Sequence, residues 1–145
     1  MSAASSNTSE DLVRRSREAL SALAAQFLLG MGANLLGSPE DNTGAARIVA
    51  GIVLGLHALV GIGLIVVAVR AWLVARREGI ARRAALWAFI VIILTFLAGV
   101  GTMFTGSDWL SFAMSVGFVA AAALYVAVGA IALARRQSAR TQSLS

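Results

Sequence analysis

The chain has no cysteine and no lysine, one proline, one histidine, and charged side chains at only 13% of its 145 positions. Each scarcity excludes something. Without cysteine there are no disulfides, thiolate metal sites, thiol redox steps or S-palmitoylation. Without lysine there is no Schiff-base or amine-nucleophile catalysis. A single histidine, His57, rules out a histidine metal cluster within one chain. A soluble domain carries about a quarter charged residues, so this chain has too few to cover a surface in water. Its apolar content of 59% and mean hydropathy of +0.82 exclude a soluble globular enzyme, a disordered protein and a nucleic-acid module, despite a pI near 11.5. The composition is that of an integral membrane protein. Arginine as the sole basic residue, with abundant Ala, Gly and Val, fits a GC-rich bacterial genome and hence a bacterial inner (plasma) membrane.

What is present is four long apolar stretches, uncharged but for one arginine. A membrane-crossing helix needs about 20 mostly apolar residues, and residues 19–36, 48–74, 84–105 and 109–134 each qualify. The second includes Arg70, which can snorkel from a helix end. In lipid every backbone polar group must be satisfied within the segment, which a helix does and an open strand does not. The stretches also lack the period-two alternation of a membrane β-barrel. The expected fold is all-α, an antiparallel bundle of four transmembrane helices. Residues 1–18 read as a partly disordered cytoplasmic segment, with a capping box at Thr8–Asp11 starting a short helix. Residues 135–145 read as a disordered cytoplasmic tail.

The connectors are sorted by charge. Arg14, Arg15 and Arg17 precede the first span. Arg70, Arg76, Arg77, Arg82 and Arg83 flank the middle connector, and Arg135, Arg136 and Arg140 follow the fourth span. Only Arg47 lies elsewhere, whereas Glu40, Asp41 and Asp108 occupy the two remaining connectors. By the positive-inside rule both termini and the middle loop are cytoplasmic. Trp72 and Trp87 then sit at the inner interface and Trp109 at the outer one. The Arg14-Arg15 pair resembles a twin-arginine export signal, but no small-x-small cleavage site follows before Gly37 and three more spans come after it. Ser107 or Asp108 is placed to N-cap the fourth helix.

Polar and small residues form stripes on the oily helices. Helix 1 carries Gln26, Gly30, Ala33, Asn34 and Gly37; helix 3 carries Thr95, Gly99, Thr102 and Gly106; helix 4 carries Ser111, Ser115, Ala122, Tyr125 and Gly129. Helix 2 carries the GxxxG of Gly51 and Gly55, followed by Ala58 and Ile62, a face for close helix packing within the chain or with another copy. Polar groups in lipid turn inward. At 1.5 Å rise per residue, Gln26, His57 and Thr95 lie roughly 13–17 Å from the outer ends, Ser115 about 9 Å, and Asn34, Thr102 and Ser111 about 3–5 Å. Below them the main polar group is Tyr125. The pattern implies a pocket open outward around Gln26, Asn34, His57, Thr95, Thr102, Ser115 and Tyr125, not a through-pore.

His57 has two readings: a neutral strut bonded to Gln26 or Thr95, or a ligand-bearing group. Gly55-Leu-His57-Ala-Leu-Val-Gly61-Ile-Gly63 resembles haem-bearing spans of membrane cytochromes over about ten residues. That resemblance implies a haem ligated by His57, with Met31, Met103, Met114 or a second chain's His57 as the other ligand. Gly32-Ala-Asn34-Leu-Leu-Gly37 and Gly99-Val-Gly101-Thr-Met-Phe104-Thr resemble pieces of fluoride channels, but they occupy different spans and positions. The embedded glutamate of small multidrug exporters, the charged set of glutathione-linked four-span enzymes and the cysteines of vitamin K reductase-like proteins are missing, so no family is assigned. No nucleophile–base or carboxylate pair lies on the spans.

The sequence therefore leads first to a non-enzymatic assembly or accessory subunit, self-associated or bound to a membrane protein partner in the lipid bilayer, with no nucleic acid. The alternative is a binder of haem, quinone or lipid around His57, and a small channel or transporter comes third. The charge sorting makes a topological prediction. A reporter fused after Ser145 reads cytoplasmic and one inserted between Gly37 and Arg47 reads external; the opposite pattern overturns the orientation.

Overall fold

The computed structural model describes residues 2–142, without the side chains of 2–9 and 140. Four helices make up nearly all of it: α1 (Ser2–Leu36), α2 (Gly44–Glu78), α3 (Arg82–Thr105) and α4 (Asp108–Gln142), with one 3-10 turn at Pro39–Asp41. All four are long and apolar enough to cross a membrane.

The helices run long because nothing interrupts them. The single proline, Pro39, is in the 3-10 turn, where its missing N–H and fixed φ do no harm. The turn is held by side chains: Ser38 Oγ accepts from the Glu40 backbone N–H at 3.4 Å, and Asn42 Nδ2 donates to the Leu36 and Ser38 carbonyls, each at 2.8 Å. Gly106 ends α3 in the left-handed region at φ 62°, its N–H donating to Thr102 O at 2.8 Å, a conformation a side chain would strain. Ser107 then stands just before α4, its carbonyl accepting from Ser111 N–H at 3.2 Å.

Two expectations about the ends are corrected. Ser2–Ser9 continues α1, so Thr8–Asp11 lies inside a helix and does not start one, although the Thr8 side chain is outside the described residues. The tail continues α4 from Arg135 to Gln142, with Ser143–Ser145 outside the described residues. Composition misses this because extending an existing helix costs far less than nucleating one. The two helices are also tied together here by the Arg136–Glu10 ion pair, while Arg14–Asp11 and Arg15–Glu18 pair along α1 itself.

Packing divides the molecule into two unlike halves. At the arginine end the first turns of α1 meet the last turns of α2 and α4 and the start of α3. Leu12, Ala75, Ala85, Val128 and Ala132 form one buried cluster. Above it, Ala19, Leu23, Leu64, Ala68, Ala71, Ala88, Ile92, Ala121 and Tyr125 form a second. Most of these are alanines, which let helix backbones approach closely where lipid supplies no hydrophobic drive between helices. Trp72 stacks on Phe89 across α2 and α3, with centroids 5.7 Å apart. Toward the far end the buried residues stop. Beyond Leu23, Gly61, Ile92 and Ala121, only Ala50 is buried among the described residues.

Candidate functional site

The far half is hollow. A cavity of about 440 Å³ lies between the four helices, with wall residues from Leu23 to Asn34 on α1, Leu54 to Leu64 on α2, Ile92 to Met103 on α3 and Ser111 to Ala121 on α4. That volume is within the range of ligand pockets, roughly 300–1,000 Å³. Asn34, Met103 and Ser115 are on its wall and also exposed, so it is open at the far end.

The cavity is a cleft between two helical hairpins. Inside the α1–α2 hairpin the contacts are tight: a Cβ at Gly30 would stand 3.0 Å from His57 Cε1, and one at Gly32 3.4 Å from Val53. Inside α3–α4 the same holds, with Gly99 against Met114 Sδ, Gly101 against Leu110 and Gly117 against the Thr95 hydroxyl. Between the hairpins, aromatic side chains mark the level where close packing gives way. Phe27 of α1 stacks on Phe118 of α4 with centroids 5.2 Å apart, and Phe96 of α3 lies against Gly61 of α2.

Of the residues singled out from sequence, Gln26, Asn34, His57, Thr95, Thr102 and Ser115 all come together on the cavity wall. Tyr125 does not. It lies about one turn below the floor residue Ala121, 1% exposed in the alanine core, with no hydrogen-bond partner for its hydroxyl among the described residues. The stripe on α4 continues past the level at which the cavity ends. The proposed packing glycines also separate. Gly99 is used within the α3–α4 hairpin, whereas Gly51 and Gly55 are exposed and a Cβ on either would meet nothing within 4 Å.

The polar groups are arranged with direction. Gln26 Nε2 donates to His57 Nε2 at 3.2 Å, joining α1 to α2. An imidazole nitrogen that accepts is the unprotonated one, so the ring proton sits on Nδ1. That nitrogen and Gln26 Oε1 are buried without partners among the described residues. Thr95 does not reach His57, because its hydroxyl donates to Val91 O at 2.7 Å. Thr102 donates to Ala98 O at 2.9 Å and Ser115 to Ser111 O at 3.1 Å. Each hydroxyl hydrogen is thus spent on its own helix, and the oxygen's remaining lone pair is what it can offer a ligand.

This geometry bears on haem. Met31, Met103 and Met114 line the cavity as the sequence reading requires. However, His57 Nε2 is engaged by Gln26 and its Nδ1 edge lies against Gly30. The imidazole therefore presents no free lone pair to the cavity, and the residues as arranged do not fit a haem ligand. Among the described residues no three His, Cys, Asp or Glu side chains converge.

Sequence reasoning missed the apolar structure of the site, namely the Phe27–Phe118 stack, Phe96 on Gly61, and Leu23, Leu64 and Ile92 at the floor. On helices that are apolar all round, no periodicity distinguishes a phenylalanine facing a cavity from one facing lipid. No protein-family profile matches the chain, and no curated protein or solved structure matches it either.

The Gln26–His57 bond predicts a double-mutant signature. Gln26→Leu leaves the imidazole acceptor unpaired and lowers stability by about 1–3 kcal/mol, whereas adding His57→Leu restores most of the loss. Unfolding in mixed micelles measures both. Strictly additive losses would show that the bond contributes nothing.

Proposed function

We propose that this chain is a non-enzymatic protein of a bacterial inner membrane, an antiparallel four-span bundle with cytoplasmic termini, that binds a hydrophobic small molecule or lipid in its far-half cavity. One observation carries this reading: all four helices line a single open cavity of about 440 Å³, and Gln26, Asn34, His57, Thr95, Thr102, Ser111 and Ser115 all stand on its wall. In a bundle whose only task were to hold together, the far half would be filled as the arginine half is. The orientation from arginine sorting turns the open end outward.

Retained ligand tests this. Purified in mild detergent, the chain carries a hydrophobic molecule visible by native mass spectrometry. Ala58→Trp, which fills the cavity from its α2 wall, reduces occupancy at least tenfold. Leu59→Trp, outside the cavity and 67% exposed, leaves occupancy unchanged. Equal occupancy in the two variants, or none in the wild-type chain, would overturn the reading.

A second reading, assembly, is favoured by Gly51 and Gly55, whose face has no partner within the chain. A GxxxG face suits a right-handed helix crossing in lipid. On this reading Gly55→Leu converts a defined dimer or partner complex to monomer in cross-linking experiments. A wild-type chain that is monomeric and partnerless in mild detergent counts against it.

A further inference from the structure

We infer that the cavity takes a single-tailed amphiphile with an uncharged, hydrogen-bond-donating head, its tail directed inward from the far end. This rests on the ligand-binding reading above and goes further by naming the ligand's chemistry.

Depth and polarity define the tail. Leu23, Ile92 and Ala121 lie about 20 Å inside the ends of their helices at Leu36, Thr105 and Asp108, at 1.5 Å per residue, and Asn34, Thr102 and Ser111 about 3–5 Å inside. The cavity is therefore about 15 Å from rim to floor by the same rise, half the roughly 30 Å hydrocarbon thickness of a bilayer. Its floor is Leu23, Leu64, Ile92 and Ala121, Asn34, Thr102 and Ser111 stand at its rim, and Ser115, Thr95, Gln26 and His57 lie on the wall between. A slot one leaflet deep, apolar at the bottom and polar at the top, suits a tail hanging from a head at the membrane surface. A volume in the lower part of the usual pocket range holds one such tail.

The rim defines the head. No charged residue lines the cavity, so an ionised head would enter without a counter-charge, at high desolvation cost. The adjoining connectors add Glu40, Asp41 and Asp108 against Arg47, which disfavours an anion further. The Thr102 and Ser115 hydroxyls already donate to their own helices. What they offer is acceptor oxygens, and the Asn34 amide both donates and accepts, so the complementary head is a hydroxyl, which supplies hydrogens and can accept in turn, as in a monoacylglycerol or a long-chain alcohol. Deeper in the wall Gln26 and His57 bond each other through their Nε2 atoms and leave Gln26 Oε1 and His57 Nδ1 without partners among the described residues, with Gln26 roughly 12 Å below Asn34 at the helical rise and so out of reach of a head held at the rim.

The test compares labelled monoacylglycerol with the fatty acid of the same chain length, bound to the full chain in nanodiscs at pH 9, well above the carboxyl range. The neutral lipid binds at least tenfold tighter than the anion. Asn34→Leu weakens monoacylglycerol about fivefold or more and leaves its hydroxyl-free alkane counterpart unchanged. An anion that binds equally well or better, or a head-independent affinity, overturns the inference. If neither linear probe binds, yet the wild-type chain retains a molecule that Ala58→Trp displaces, the inference fails and the ligand-binding reading stands. If nothing is retained and nothing binds, both fail.

Discussion

The close approach of helix backbones through alanine is the constraint on which the rest of the structure depends. Helices in lipid gain nothing from hiding apolar surface from water, so they stay together where their shapes allow many short contacts. Here those contacts sit in one half. Ala19, Ala68, Ala71, Ala75, Ala85, Ala88, Ala121 and Ala132 bring all four helices together at the arginine end. With that half fixed, the other is free to be hollow. Bulky side chains such as Phe27, Phe96 and Phe118 come at the changeover, where the close alanine contacts between the hairpins end.

Within each hairpin a different device acts. Glycine lets a particular partner come close: Gly30 receives the edge of His57, Gly117 the hydroxyl of Thr95, and Gly99 the sulfur of Met114. The hairpins stay closed all the way to the far end while the cleft between them widens. The Gln26–His57 bond belongs to this set, since it joins the two helices of one hairpin at the depth where the cleft begins. It leaves Gln26 Oε1 and His57 Nδ1 unpaired among the described residues, a cost of about 1–3 kcal/mol for each group. The alanine core beneath it is what can offset that cost.

Four long apolar helices were legible because length and hydropathy state them directly. The polar wall was legible because a polar side chain at membrane depth has few places to go, and Gln26, Asn34, His57, Thr95, Thr102 and Ser115 do share one cavity. Tyr125 was not legible, because a stripe gives the direction of a residue and not the level at which a cavity closes. Gly51 and Gly55 were ambiguous for a similar reason. GxxxG says that a helix can be approached, and only the fold says that nothing in this chain approaches it. The helical ends were misread from polar composition alone, without the ion pair between Arg136 and Glu10 that links α4 to α1.

The two halves also weigh differently on transport and on binding. A conduction path would have to continue from the cavity floor through Ala121, Tyr125 and the alanine layers beneath, where residues are no more than a few per cent exposed. Opening it means separating the contacts that hold the four helices together, at a cost comparable to the stability of the bundle itself. Filling the cavity requires no such separation. A ligand entering from the far end adds contacts where the helices have fewest and leaves the alanine core as it is. The same asymmetry explains the placement of charge. All the arginines but Arg47 lie toward the closely packed end, while the cavity wall carries only neutral groups. A neutral wall in a low-dielectric medium discriminates against ions without any gate, because desolvation alone opposes their entry.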